Sequence, residues 1–184
     1  GLHIFLDSLS QINIDESLIN VEIVGEGPLK SKYEKVLKNY NLPFIKFAGI
    51  ISQKEVIERL SEDTDILVHT SFKEGTPHVI LEALSCGVPV ICHDAFGMAT
   101  AIDHKSGTKI PLSSPKTSIF GCFSSSALKL FRNTTRPSTR AGSVLNFAGT
   151  VAMFKEEFSD SLYSESLYNF PVLLNFSSHQ SESV

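Results

Sequence analysis

The chain has 184 residues, enough for one domain of ordinary size with or without a tail. With 42% hydrophobic and 20% charged residues it can build a sizeable core. Its formal net charge of −4 argues against a nucleic-acid partner, because phosphate backbones call for clustered Lys and Arg. No run is apolar enough to cross a bilayer; residues 79–92 come nearest, and Glu82, Gly87 and Pro89 interrupt them. The first residues lack the basic region of a signal peptide, and Cys86, Cys92 and Cys122 have no metal-ligand spacing. Free thiols in a reducing compartment are expected, hence a cytoplasmic protein, for which peripheral association with the inner face of the membrane is compatible.

In chain order, Leu2, Phe5, Leu6 and Leu9 have helical spacing, and residues 21–24 form a short β-prone run ending at Gly25. Pro28 suits the first turn of a helix whose face continues through Tyr33, Val36, Leu37 and Tyr40. Residues 44–47 read as a second strand. Ser52 and Glu55 form a capping-box pattern before a helix carrying Val56, Ile57 and Leu60. Residues 66–68 are a third strand. Pro77 opens the next helix, which Ile80, Leu81 and Leu84 bury and Gly87 ends. Residues 88–92 are a fourth strand and 108–110 a fifth.

This alternation predicts an α/β fold with a doubly wound parallel sheet over residues 1–112. Right-handed crossovers place the strand carboxyl ends on one edge, and ligands of such sheets bind in the crevice beyond it. Beyond residue 112 the patterns change. Residues 113–167 read as a mostly helical extension, with candidate helices at 119–131 and 144–158. Residues 168–184 have no clear period and read as a disordered tail.

The segment around residues 71–84 carries the most chemistry. Glu74 falls in a loop after a strand, and Glu82 lies eight residues on, in the following helix. Between them Gly75 permits close backbone approach, and the helix start at Thr76 and Pro77 offers free N–H groups and a positive dipole end to an anion. A carboxylate accepts from two hydroxyls at once, which suits the vicinal diols of ribose or a hexose. Two such acceptors flanking an anion seat match a nucleotide sugar.

The run EGTPHVILEALSCGVPVI, residues 74–91, resembles the E-x7-E signature of the retaining GT-B glycosyltransferases called group 1. Gly25-Glu26-Gly27-Pro28 resembles that family's G-x-G-P turn, Phe47-Ala48-Gly49 its F-x-G strand end, and Asp65-Ile66-Leu67-Val68 the strand before the signature. The turn from His93 to Met98 and the pair Ser106-Gly107 follow in the family's order. The resemblance implies the Rossmann-like, donor-binding half of a GT-B fold. It also implies transfer of a hexose from a nucleoside-diphosphate sugar to a glycan or other acceptor with retention, as in polysaccharide synthesis. Glu74 is then the catalytic-site acid that meets the sugar, and Glu82 holds the ribose. Gly75, Thr76 and Pro77 face the diphosphate or sugar, Gly49 and Ile50 edge the base, and Gly25 and Gly27 allow close approach. No metal and no other cofactor is implied.

On this resemblance the chain is a fragment. The family's first strand, with its Arg and Lys, would precede Gly1, and the acceptor-binding domain would lie outside the chain. An incomplete, inactive half is therefore expected, with a non-catalytic binding module as the alternative and a sugar-nucleotide epimerase as a further one. Gly25-x-Gly27 does not complete a dinucleotide fingerprint, since the third glycine would fall at Lys30. His69, His78, His93 and His104 lie near the crevice or in loops, with His78 read as a solvated helix-start residue. Cys86 and Cys92 read as packing residues.

Overall fold

The computed structural model describes residues 1–11, 16, 19–75, 77–112 and 171–176. Helix α1 (Leu2–Ser10) leads to strand β1 (Ile19–Val24), helix α2 (Lys30–Tyr40) and strand β2 (Ile45–Gly49). Helix α3 (Gln53–Glu62), strand β3 (Ile66–His69), helix α4 (His78–Ser85) and strand β4 (Val90–His93) follow. Helix α5 (Phe96–Ala101) and strands β5 (Gly107–Ile110) and β6 (Pro171–Phe176) complete the described elements.

The sheet order is β2-β1-β6-β3-β4-β5. β1 pairs parallel with β2, and β3, β4 and β5 pair parallel in turn. β6 runs antiparallel to both β1 and β3, so the other five strands share one direction. The α/β, doubly wound architecture expected from the alternation is present, but the sheet is mixed rather than wholly parallel.

For residues 171–176, β6 corrects the reading of the 168–184 stretch as a disordered tail; the rest of that stretch lies outside the described residues. Val172, Leu173 and Leu174 are 0%, 4% and 1% exposed, in the middle of the sheet. Val172 and Leu174 join one core with Phe5, Leu6, Val21, Ile23, Val68 and Ile91, under α1 and α2. Leu173 joins the other with Leu60, Leu67, Ile80, Val90 and Met98, under α3, α4 and α5. A strand covered on both faces needs apolar residues at every position, so it shows no period of two. The sequence readings of helices within 113–167 lie outside the described residues.

Local sequence explains the helix ends. The capping box at α3 is formed: the Glu55 N–H donates to Ser52 Oγ at 3.2 Å, and the Ser52 N–H donates to Glu55 Oε2 at 2.8 Å. α4 closes in a Schellman motif, with Gly87 N–H donating to the Leu84 carbonyl at 3.0 Å and Val88 N–H to that of Ala83 at 2.8 Å. Both prolines sit earlier than expected, Pro28 two residues before its helix and Pro77 one. Pro28 lies in a turn closed by Lys30 N–H on the Gly27 carbonyl at 3.1 Å, and α2 starts after it. Pro77 is the N-cap of α4, with φ −64° and ψ 128°. A fixed φ near −65° serves a turn or a cap as well as a first helical turn, so periodicity could not separate them. On α4, Ile80 and Ala83 are buried whereas Leu81 is 48% exposed, correcting its assignment to the core.

Candidate functional site

The carboxyl ends of the parallel strands deliver their loops to one edge, as the right-handed crossovers require. β1 ends at Val24, β2 at Gly49, β3 at His69 and β4 at His93. α1 starts there too: a Cβ on Gly1 would sit 1.7 Å from the Thr70 carbonyl oxygen. Gly25 and Gly49 form one unit, the Gly25 N–H donating to the Gly49 carbonyl at 2.8 Å. Their φ values of 125° and 72° favour glycine at both positions. The β1–β2 register slips between Ile23 and Val24, so that Ile23 faces Phe47 and Val24 faces Gly49. Ile50, just beyond, is 81% exposed. Gly27 is half-buried and serves the Lys30 turn.

Glu74 and Glu82 flank α4 on different sides. α4 packs against both α3 and α5. On the α5 side, the Glu74 carbonyl accepts from the Gly97 N–H at 3.3 Å. On the α3 side, Glu82 Oε1 accepts from Gln53 Nε2 at 3.0 Å. Gln53 opens α3 three residues beyond Ile50, so Glu82 is tied to the loop leaving β2. Both glutamates are half-buried and able to meet solvent. Glu82 lies four residues into the helix, about 6 Å along its axis from His78.

The tip of α4 is open. Pro77 gives no side-chain cap, no acid occupies the first turn, and His78 and Gly75 are exposed. The first N–H groups of the helix therefore face the crevice edge with a positive dipole end and can receive an anion. A Cβ on Gly75 would meet nothing within 4 Å, and its φ lies outside the left-handed region. Thr76, the remaining residue expected at this tip, lies outside the described residues.

Two histidines lie beneath the edge. His69 ends β3 and His93 ends β4, 3% and 4% exposed, and among the described residues none of their four ring nitrogens has a hydrogen-bond partner. Burial pushes both rings down to about 4; His93 adds to the effect on His69, while the Ile110 backbone, near His93 but outside hydrogen-bonding geometry, opposes it weakly. Phe72 stacks on His93 with ring centroids 4.7 Å apart. Cys92 is buried in the core, and burial pushes its thiol up to about 11, the opposite of an activated nucleophile. Among the described residues no group of three His, Cys, Asp or Glu could hold a metal ion, and no helix is long and apolar enough to cross a membrane.

Sequence reasoning placed Phe96 at this edge, within the turn of residues 93–97, but gave it no role, and it missed Gln53 altogether. Gln53 was hidden behind its capping neighbour Ser52, although its place just after β2 puts it at the crevice. Phe96 lay within the turn after β4 and showed no periodic or polar signature.

Residues 1–117 match the family model described as glycosyl transferases group 1. The chain belongs to that family. CapJ of Staphylococcus aureus is 29% identical to it over 104 residues, 56% of this chain and 26% of that protein. WcaL of Salmonella typhimurium, whose name places it in colanic acid biosynthesis, is 25% identical over 119 residues, 60% of this chain and 29% of that protein. The crystal structure of HepE from Anabaena in complex with UDP-glucose matches with a TM-score of 0.55 at 22% identity, over 83% of this chain and 44% of HepE. That likeness shows a shared fold. The chain spans less than a third of the length of CapJ and WcaL, and under half that of HepE.

Proposed function

We propose that this chain is the donor-binding half of a glycosyltransferase that moves a hexose from a nucleoside-diphosphate sugar to a glycan acceptor with retention of configuration. One observation carries the reading: an uncapped helix tip stands between two half-buried glutamates that lead to different strand ends. From β2 to β3 the edge spans three strand spacings, about 14 Å, room for a base, a ribose and two phosphates in line. Ile50 and the Gly25–Gly49 unit would edge the base. Glu82, held by Gln53, would accept from the ribose hydroxyls. The N–H groups at Gly75, Pro77's successor His78 and Val79 would take the diphosphate, and Glu74 the sugar hydroxyls. The helix dipole would then stabilise the charge that grows on the departing diphosphate. HepE, which shares the fold, is known in complex with UDP and with UDP-glucose, which makes these the probes of choice. The acceptor would be held by a further domain, and the arrangement needs neither metal nor organic cofactor.

Calorimetric titration with UDP-glucose tests the assignment. Hydrogen bonds to a charged group contribute about 1.5–3 kcal/mol, so Glu82→Ala should weaken binding about 10- to 100-fold. Equal affinity in the parent chain and the variant would remove Glu82 from the site.

A further inference from the structure

Among the described residues, two that are not glycine have positive φ, Asn41 at 52° and Phe96 at 50°. Asn41 is accounted for. It caps α2, its N–H donates to the Lys38 carbonyl at 3.3 Å, and asparagine tolerates this conformation. Phe96 has no such account. A bulky side chain is disfavoured there, and the ring is not repaid by burial, being 58% exposed while Met98 of the same helix is 0% exposed.

The position of Phe96 is tightly fixed. Asp94 N–H donates to the Ile110 carbonyl at 2.8 Å, Ala95 N–H to that of His93 at 2.9 Å, and Gly97 N–H to that of Glu74 at 3.3 Å. The last bond joins the Phe96 turn to the loop carrying the acid assigned to the sugar. Phe96 also follows β4, four strand spacings from β2, about 19 Å. Phe96 thus sits, exposed, at the end of the strand edge where the sugar would lie, far from the end that would edge the base. A hexopyranose has an apolar C–H face and a hydroxyl-bearing rim. An aromatic ring beside a carboxylate matches both, as in pockets where aromatic walls are joined by a few placed polar groups.

We propose that Phe96 is a specificity-determining residue that stacks on the apolar face of the donor hexose while Glu74 accepts from the hydroxyls on its rim. The role rests on the donor-site reading given above. The strained backbone is what holds the ring over the crevice.

The test compares UDP and UDP-glucose binding to the full 184-residue chain. Phe96→Gly should lower UDP-glucose affinity at least about tenfold and leave UDP affinity unchanged. Relief of the positive φ and the greater freedom of glycine in the unfolded chain oppose each other, so the thermal midpoint should stay within about 2–4 °C of the parent's in the same variant. Phe96→Tyr, which keeps the ring, should keep the preference for UDP-glucose. A Phe96→Gly chain that binds UDP-glucose as well as the parent would overturn the proposal. So would one that loses UDP and UDP-glucose in equal proportion, the result expected if the ring only supports the fold. A parent chain that binds neither ligand would overturn the donor-site reading and this role with it.

Discussion

In strand β6, Val172, Leu173 and Leu174 are no more than 4% exposed and serve both cores at once. In the loops at the carboxyl edge of the sheet, Glu74 and Pro77 are half-buried, and Gly75, His78 and Phe96 are exposed. The first region is specified by volume and by backbone pairing on both sides. In the second, side-chain packing specifies little: a Cβ on Gly75 would meet nothing within 4 Å among the described residues, Pro77 caps without a side-chain bond, and the Phe96 ring is exposed on a strained backbone. Residues that a fold does not need, set where an α/β sheet receives its ligands, are the ones whose replacement should change binding without changing stability.

The largest effect is expected at the middle of the sheet. Leu173→Asp would place a carboxylate without a partner among Leu60, Leu67 and Ile80, costing about 5 kcal/mol or more. That approaches the whole stability of an ordinary domain, so the cooperative urea transition seen by circular dichroism should disappear. Leu173→Ala should keep the transition and cost about 2–5 kcal/mol. If both variants unfold like the parent, β6 is an accessory strand, and the contrast between the regions fails.

The histidines lie on the boundary between the regions and should show it through pH. Unfolded, His69 and His93 titrate near 6.5; folded, burial holds both down to about 4. Above about pH 6.5 both states are neutral at these rings, and the histidines contribute no pH dependence. As pH falls from 6.5 towards 4 the unfolded chain takes up protons that the folded chain refuses, so stability falls, by about 3 kcal/mol per histidine, and levels off below 4. Urea midpoints measured between pH 7 and 4 should show this decline. Substituting His69→Leu, or His93→Phe, which retains a ring beside Phe72, should remove one share of it. An unchanged slope in either variant would mean that its ring reaches water.

How far the sequence reveals these regions follows from the same contrast. The elements of residues 1–112 are readable because each amphipathic helix leaves a stripe, as Tyr33 and Leu37 do on α2, and because Ser52 with Glu55 announces a helix start. Glu74 and Glu82 are readable because the spacing of an E-x7-E signature survives in the linear chain. β6 is not, since a strand buried on both faces has no alternation and its partners lie about 100 residues or more away. Gln53 is not, because its meaning comes from Glu82 across space, and Phe96 is readable as part of the edge but not by its link to the Glu74 backbone.

The smallest expected effect on stability is at Gly75, and it separates the regions most cleanly. Its φ is one that alanine can adopt, and a methyl group there would touch no other part of the described chain. Gly75→Ala should therefore leave the urea midpoint within about 0.5 kcal/mol of the parent, or raise it slightly by restricting the unfolded chain. A ligand whose diphosphate or sugar approaches the backbone at this loop would meet that same methyl group. UDP-glucose affinity should then fall several-fold while the fold is intact, whereas a glycine kept for folding would give the reverse: lost stability and no selective loss of binding. The two measurements on one variant decide whether the loop before α4 is shaped by the chain or by what the chain binds.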